Sequence, residues 1–243
     1  MGRFGKAVSV RWGLVLLAAV SILAFSACLK DDGAVNQISA VRALNAAPGS
    51  AQLDIGLDQN QLNYDRQNMR TEDFAYGDTL PYKNAWPGSR WVRVFETGSG
   101  ASTQPIAQGT VQFTPGKFYS LYVVGYEDIE LMATEDDLSA PGAGKAKIRF
   151  IHLSPDAPAL DFAIAGTDTP LAADKVFKEV EKFSTVDADE TYTFQIIEHS
   201  SGDVVHTFEF TPGSDMIYTV WAKGLFDNEG DAALDFGHGI ITH

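Results

Sequence analysis

Apolar and polar residues alternate over short stretches of this chain. Leu160, Phe162 and Ile164 are separated by Asp161 and Ala163, and Leu53, Ile55 and Leu57 by Asp54 and Gly56. A period of two turns one side of an extended chain into a core and the other outward, so both stretches predict half-buried strands. Two further strand-like runs, "RWVRVFETGSG" and "TYTFQIIEHSSG", each end in a turn. Thr114-Pro115-Gly116 and Thr211-Pro212-Gly213 predict tight turns, since proline presets the first central residue and glycine tolerates positive φ. Strands of about six residues with turns every ten or so predict an all-β sandwich architecture. The stretch "LAADKVFKEVEKF" (171–183) reads either as a turn or two of helix or as an irregular crossover between strands.

The pattern occurs twice. "VRALNAAPGSAQLDIGL" from Val41 lies over "IRFIHLSPDAPALDFAI" from Ile148 without a gap, so that Arg42 meets Arg149, Pro48 meets Pro155 and Asp54 meets Asp161. "QFTPGKFYSLYVVG" and "EFTPGSDMIYTVWAKG" match in the same order further on. An internal repeat of this kind marks two copies of one structural unit. Acid, Ser, Pro and Gly cluster in "TEDDLSAPGAGKAK" (134–147), which predicts the join. Each copy has roughly 100 residues, enough for a core of its own.

The first 27 residues have a different character. Arg3, Lys6 and Arg11 precede the apolar run "WGLVLLAAVSILAFSA", which is short for a membrane span and ends close to charge. Basic, apolar and small-residue regions in that order predict a secretory signal. Ser26-Ala27-Cys28 resembles the lipobox of bacterial lipoproteins, in which the cysteine is acylated and becomes the new N-terminus; Phe25 departs from the usual leucine. Cys28 is the sole cysteine, so no disulfide can form within the chain, and its expected duty is to carry lipid. Several acyl chains on one residue anchor stably where a single chain does not. Leu29-Lys30-Asp31-Asp32 looks like the export signal of Bacteroidetes-type surface lipoproteins, with Lys30, Asp31 and Asp32 as the signal residues. The expected location is the outer membrane, lipid-anchored and facing the cell exterior, with a periplasm-facing orientation as the alternative. The predicted division is a lipoprotein signal peptide over 1–27, a lipidated tether over 28–37, one sandwich over 38–135, a linker over 136–145 and a second sandwich over 146–243.

Charge narrows the partners. The whole chain carries −14, and without the first 27 residues 15 basic and 32 acidic residues leave −17. Such a surface repels phosphate backbones and anionic lipid headgroups, so nucleic acid is excluded as an expected partner and membrane attachment falls to the lipid on Cys28.

At "RFIHLSPDAPALDF" the chain resembles a bacterial extracytoplasmic family known only as a domain of unknown function, the 4397 family. Its members carry a strand, a His-x-Ser-Pro-Asp-Ala-Pro turn and a strand with aspartate, here His152, Ser154, Pro155, Asp156, Ala157, Pro158 and Asp161. "DDLSAPGAGKAKIRFIHLSPDAPALDF" and "IITH" also look characteristic of it. The first copy departs from the motif, with Asn45 in place of the histidine and Gly49-Ser50 in place of Asp-Ala. The resemblance implies tandem Ig-like antiparallel sandwiches on a lipid anchor. It implies no reaction, because the family has none assigned.

Among residues able to carry chemistry, His152 beside Asp156 or Asp161 has the parts of a general base, or is a buried histidine satisfied by its own turn. Asp54 and Asp161 recur at one place in both copies, although only one copy has the histidine. That favours a structural duty, and pairing with Arg42 and Arg149 on the neighbouring strand is the expectation. His199 and His206 flank a turn and are placed to face each other across a hairpin. "DNEGD" (227–231) offers oxygen ligands without the spacing of a calcium loop, so no metal and no cofactor are expected. Trp91, Tyr119, Tyr122, Tyr218 and Trp221 suit core positions. Trp86 sits at a Trp-Pro-Gly turn, where with Tyr82 it either stacks on a ligand or caps the sandwich. The expected function is a non-enzymatic binding or adhesion module with a glycan or protein partner. The alternatives are an architectural envelope component and, behind it, a polymer-acting enzyme using His152.

Overall fold

The computed structural model describes Met1 and residues 38–99, 103–228 and 230–243. Cys28, Lys30, Asp31 and Asp32, with the rest of the predicted signal and tether, lie outside the described residues. The first copy forms β1 (Ser39–Asn45), β2 (Leu53–Leu57), β3 (Asn60–Gln61), β4 (Tyr64–Asp65), β5 (Arg70–Thr71), β6 (Thr79–Ala85), β7 (Gly88–Glu96), β8 (Ala107–Phe113), β9 (Phe118–Val124) and β10 (Glu130–Asp136). The second forms β11 (Lys145–His152), β12 (Leu160–Ile164), β13 (Ala172–Lys175), β14 (Ser184–Asp187), β15 (Tyr192–Glu198), β16 (Val204–Phe210), β17 (Ile217–Lys223) and β18 (Gly237–Thr242).

The repeat seen in the sequence is a repeat of topology. The first copy has sheets β10-β9-β1-β6 and β3-β2-β7-β8; the second has β18-β17-β11-β14 and β13-β12-β15-β16, the same strand for strand, and the first adds a two-stranded sheet β4-β5. The chain is therefore all-β, two sandwiches in tandem. Pairing between the strands of the sheets is antiparallel except for one parallel pair in each copy: β1 with β9 (Arg42 opposite Ser120) and β11 with β17 (Arg149 opposite Thr219). Residues 171–183 form the short β13 and an irregular crossover with a single bridge from Val180 to Ile151.

Alternation builds each core. Val41, Ala43, Leu53, Ile55, Val92, Val94 and Leu121 fill the first sandwich. In the second, four phenylalanines stack in sequence: Phe150 on Phe162 at 5.0 Å, Phe162 on Phe194 at 5.3 Å, and Phe194 on Phe208 at 5.5 Å between ring centroids. Offset-stacked rings at this spacing add to the area they bury.

A third core lies between the copies. Leu44, Tyr122 and Val124 from the first pack with Ile151, Leu153, Trp221 and Ile241 from the second. It exists because β1, β9, β11 and β17 are buried on both faces, as parallel-paired central strands commonly are. The alternation-based expectation of two self-sufficient cores thus misses a contribution from each copy to the other. Residues 38–243 form one compact unit.

The loops show why two glycines recur. Gly125 and Gly224 follow β9 and β17 at matching positions with φ of +96° and +80°. A Cβ there would stand 2.0 Å from the Asp128 carbonyl oxygen and 2.2 Å from that of Asp235, so only glycine fits. The Thr-Pro-Gly turns differ from each other. Gly116 takes the expected left-handed conformation, but in the second copy Asp215 takes it in place of Gly213. In both, a tyrosine hydroxyl accepts the turn's N–H: Tyr119 from Thr114 at 3.0 Å and Tyr218 from Gly213 at 3.1 Å.

Candidate functional site

The motif histidine is sealed. His152 is fully buried, and its Nε2 donates to the Pro158 carbonyl at 3.0 Å. Nδ1 has no partner, and burial holds the ring below its ordinary pKa, so it is neutral. Phe177 packs edge-on against it. A general base needs reach to a substrate proton, and this ring has none. The rest of the motif clasps the loop after β17. Ser154 Oγ donates to Gly224 O at 2.8 Å, while the Asp156 carboxylate accepts from the N–H groups of Phe226 and Asp227 at 2.8 and 3.1 Å. Pro155 heads the same turn. In the first copy Asn45 does the equivalent work: its amide donates to Phe74 O and its oxygen accepts from the Ala47 N–H. An amide in the histidine's place, holding the neighbouring turn, marks the position as structural.

The expected Arg–Asp pairs do not form. Arg42 and Arg149 point out of their sandwiches between core residues, and β2 and β12, which carry Asp54 and Asp161, belong to the opposite sheets. Each sandwich core therefore separates the intended partners. Asp54 accepts instead from Gln61 and Asn63, and Asp161 from the Asp174 N–H and His199 Nδ1. Both aspartates secure the segment that follows their strand. His199 and His206 do not face each other either, since His206 lies 2.8 Å from His238.

The arginines meet between the copies, in a network with approximate two-fold symmetry. Arg149 Nη2 pairs with Asp136 at 2.5 Å, and Arg149 Nη1 reaches Glu135 O at 3.5 Å. Arg42 Nη1 donates to Thr242 O at 2.7 Å, the matching carbonyl on the last strand of the other copy. Ser120 Oγ donates to Asp136 as Thr219 Oγ1 meets His243 Nε2, both at 2.7 Å. Arg42 lies over the Tyr82 ring at 5.3 Å and Arg149 over Phe183 at 4.5 Å. The donors run in one direction: Arg149 Nε to Thr219 Oγ1, Thr219 to His243 Nε2, His243 Nδ1 to the Tyr82 hydroxyl, and Tyr82 to Asp136. That chain needs a neutral imidazole, and burial pushes His243 down to about 4. Burial, with Asp136 beside it, raises Tyr82. Sequence reasoning missed this cluster because its members are scattered from residue 42 to 243. The aligned pair Arg42 and Arg149 was the available signal.

Tyr82 is half-buried: its hydroxyl joins this network, and the residue also lines the groove beside Trp86. A bulge sets both Pro81 and Tyr82 opposite Arg42, which swings the tyrosine toward the other copy. Trp86 remains out, 64% exposed on the β6–β7 turn. It borders a groove of about 720 Å³ whose walls include Asp58, Asn60, Gln61, Arg66, Asn84 and Arg90. Trp91, expected in the core, is 47% exposed. It stands on the outer face of β7, with the Arg93 guanidinium stacked on it at 4.3 Å. Among the described residues no three His, Cys, Asp or Glu side chains are placed to hold a metal ion.

The fold and this buried seam define a class, a tandem β-sandwich protein whose copies share a core. The profile of the family described as Domain of unknown function (DUF4397) matches residues 39–163, the first copy and the second through β12, and the chain belongs to that family. No curated protein matches the chain. Solved structures superpose loosely. A streptococcal virulence factor that binds α-glucan aligns at 13% identity and TM-score 0.27, over 79% of this chain and 95% of its own. A family 26 carbohydrate-binding module of Eubacterium rectale Amy13K, in complex with maltoheptaose, gives 10%, 0.25, 85% and 96%. The fimbrial anchor protein Mfa2 of Porphyromonas gingivalis gives 9%, 0.24, 84% and 97%.

Proposed function

We propose that the chain is a non-enzymatic binding module held at a bacterial cell surface by lipid on Cys28, and that the groove beside Trp86 takes a sugar chain. Trp86 carries this reading: a large indole left exposed on a tight turn at the rim of a groove in the size range of small-ligand sites. The apolar face of a sugar ring stacks on such a surface. Asn60, Gln61 and Asn84 line the groove with side chains that both donate and accept, as hydroxyl recognition requires. The enclosure of His152 removes the side chain best equipped for acid–base chemistry. Lipid attachment and surface display rest on the sequence from Arg3 to Asp32.

Glycan binding by the purified protein and by Trp86→Ala tests the site, with a loss of tenfold or more expected; an unchanged variant refutes it. Protease shaving of intact cells, comparing wild type with Lys30, Asp31 and Asp32 replaced by alanine, tests display. Wild type cleaved and variant protected is the expected result. Protection of both places the domains in the periplasm. The shared third core favours a second reading, a rigid spacer for an envelope partner, which predicts loss of that assembly on deletion of the protein.

A further inference from the structure

Three arginines converge on one turn at the rim of the groove. Asp58, in the left-handed region at φ +52°, links β2 to β3. Each of its carboxylate oxygens accepts one bond, from Arg90 Nη1 at 3.1 Å and from the Trp91 N–H at 2.9 Å. Arg90 is further held by the carbonyls of Trp86 and Pro87. Arg66 reaches the same turn from the β4–β5 hairpin, donating to Asn60 Oδ1 at 3.2 Å. Arg93 reaches it from the outer face of β7, donating to the Asp58 carbonyl at 2.5 Å. Neither Arg66 nor Arg93 forms an ion pair among the described residues, and Arg93 Nε is buried without a partner. At the turn itself one carboxylate faces three guanidinium groups, in a chain with 32 acidic residues against 18 basic ones; the groove wall adds Asp65 and a Lys83–Glu72 pair.

We infer that the sugar chain bound here is anionic, a polysaccharide carrying carboxylates. Arg66 takes a carboxylate inside the groove and Arg93 takes one on the outer face, while Trp86 and Trp91 supply the stacking surfaces on either side of the Asp58–Asn60 turn. Planar guanidinium forks match carboxylates in geometry, and stacking on Trp91 holds Arg93 ready for one. With Asp65, Glu72 and Lys83 of the groove wall included, four basic groups (Arg66, Lys83, Arg90, Arg93) stand against three acidic ones, a slightly positive spot by which an acidic polymer can approach a protein whose net charge would otherwise repel it.

This inference rests on the groove reading, and the test separates the two. Calorimetry compares polygalacturonate with its methyl ester, the same sugar without charge, and adds alginate and hyaluronan. The expected result is binding of an acidic polymer on the order of tenfold tighter than of the neutral one, weakening about tenfold as NaCl rises from about 50 to about 500 mM. The double variant Arg66→Gln/Arg93→Gln abolishes the preference, and Lys182→Gln in the other copy leaves it intact. Equal, Trp86-dependent affinity for acid and ester overturns the charge assignment and leaves the groove reading standing. Failure of every polymer, acidic and neutral, to bind overturns both.

Discussion

Replacing Asp136 by alanine is the most direct test of how the two copies are joined. Its side chain is completely buried, and that of Arg149 is 3% exposed. The carboxylate accepts from Arg149, from Tyr82 at 2.7 Å and from Ser120 at 2.7 Å. Alanine leaves a buried guanidinium with only neutral acceptors, Thr219 Oγ1 at 2.8 Å, the Tyr122 hydroxyl at 3.1 Å and the Glu135 carbonyl at 3.5 Å. Removing one member of a buried pair costs about 3–5 kcal/mol, most of it from the stranded charge. For a protein of this length that corresponds to a fall in Tm of roughly 6–20 °C. Denaturant unfolding followed by fluorescence measures it, with Trp221 in the third core among the reporters. If stranded charge is the cause, Asp136→Leu combined with Arg149→Met is far more stable than the sum of the single effects, since an apolar pair in such a place is often neutral. A loss under about 1 kcal/mol for Asp136→Ala, or simple additivity in the double variant, refutes the reasoning.

Other consequences are simpler to state. His243 and His238 are both held at about 4 by burial, whereas an unfolded histidine titrates near its ordinary value. Between those values the unfolded chain binds more protons, so stability is complete above about pH 6.5 and falls as pH drops toward 4; urea midpoints at several pH values check this, and His243→Gln flattens part of the slope. Gly224→Ala and Gly125→Ala each force a Cβ onto a backbone carbonyl at positive φ and lose about 1–3 kcal/mol or more, read by thermal unfolding. His152→Ala empties a buried site and releases the Pro158 carbonyl, a loss of about 2–4 kcal/mol expected in chemical denaturation with sugar binding unchanged by calorimetry.

The local pattern carried much of the architecture. Alternation at Leu53–Leu57 and Leu160–Ile164 marks strands because a period of two is a property of the extended chain itself, independent of what packs on it. The gapless match of Val41–Leu57 with Ile148–Ile164 announced two copies of one topology, since equal sequences meet equal local constraints. Asp54 and Asp161 recur at one place in both copies and each binds within its own copy, to partners that the sequence did not disclose. The proposed export and lipid on Cys28 rest on local sequence alone, outside the described residues.

Partners across space were decided elsewhere. Arg42 and Arg149 lie beside Asp54 and Asp161 in sequence order, yet each sandwich core stands between them. Only the docking of one copy on the other brings Arg149 to Asp136 and Arg42 to Thr242. Trp91, expected in the core, stands outside it for the same kind of reason. Side-chain parity says which residues share a face but not which face is covered, and a bulge at Pro81-Tyr82 resets parity altogether. The third core, the arginine cluster around Asp58 and the enclosure of His152 all depend on distant segments meeting. Sequence determines local geometry through backbone sterics and hydrophobic period; which surfaces end up buried, paired or left open is settled only when the sheets close on one another.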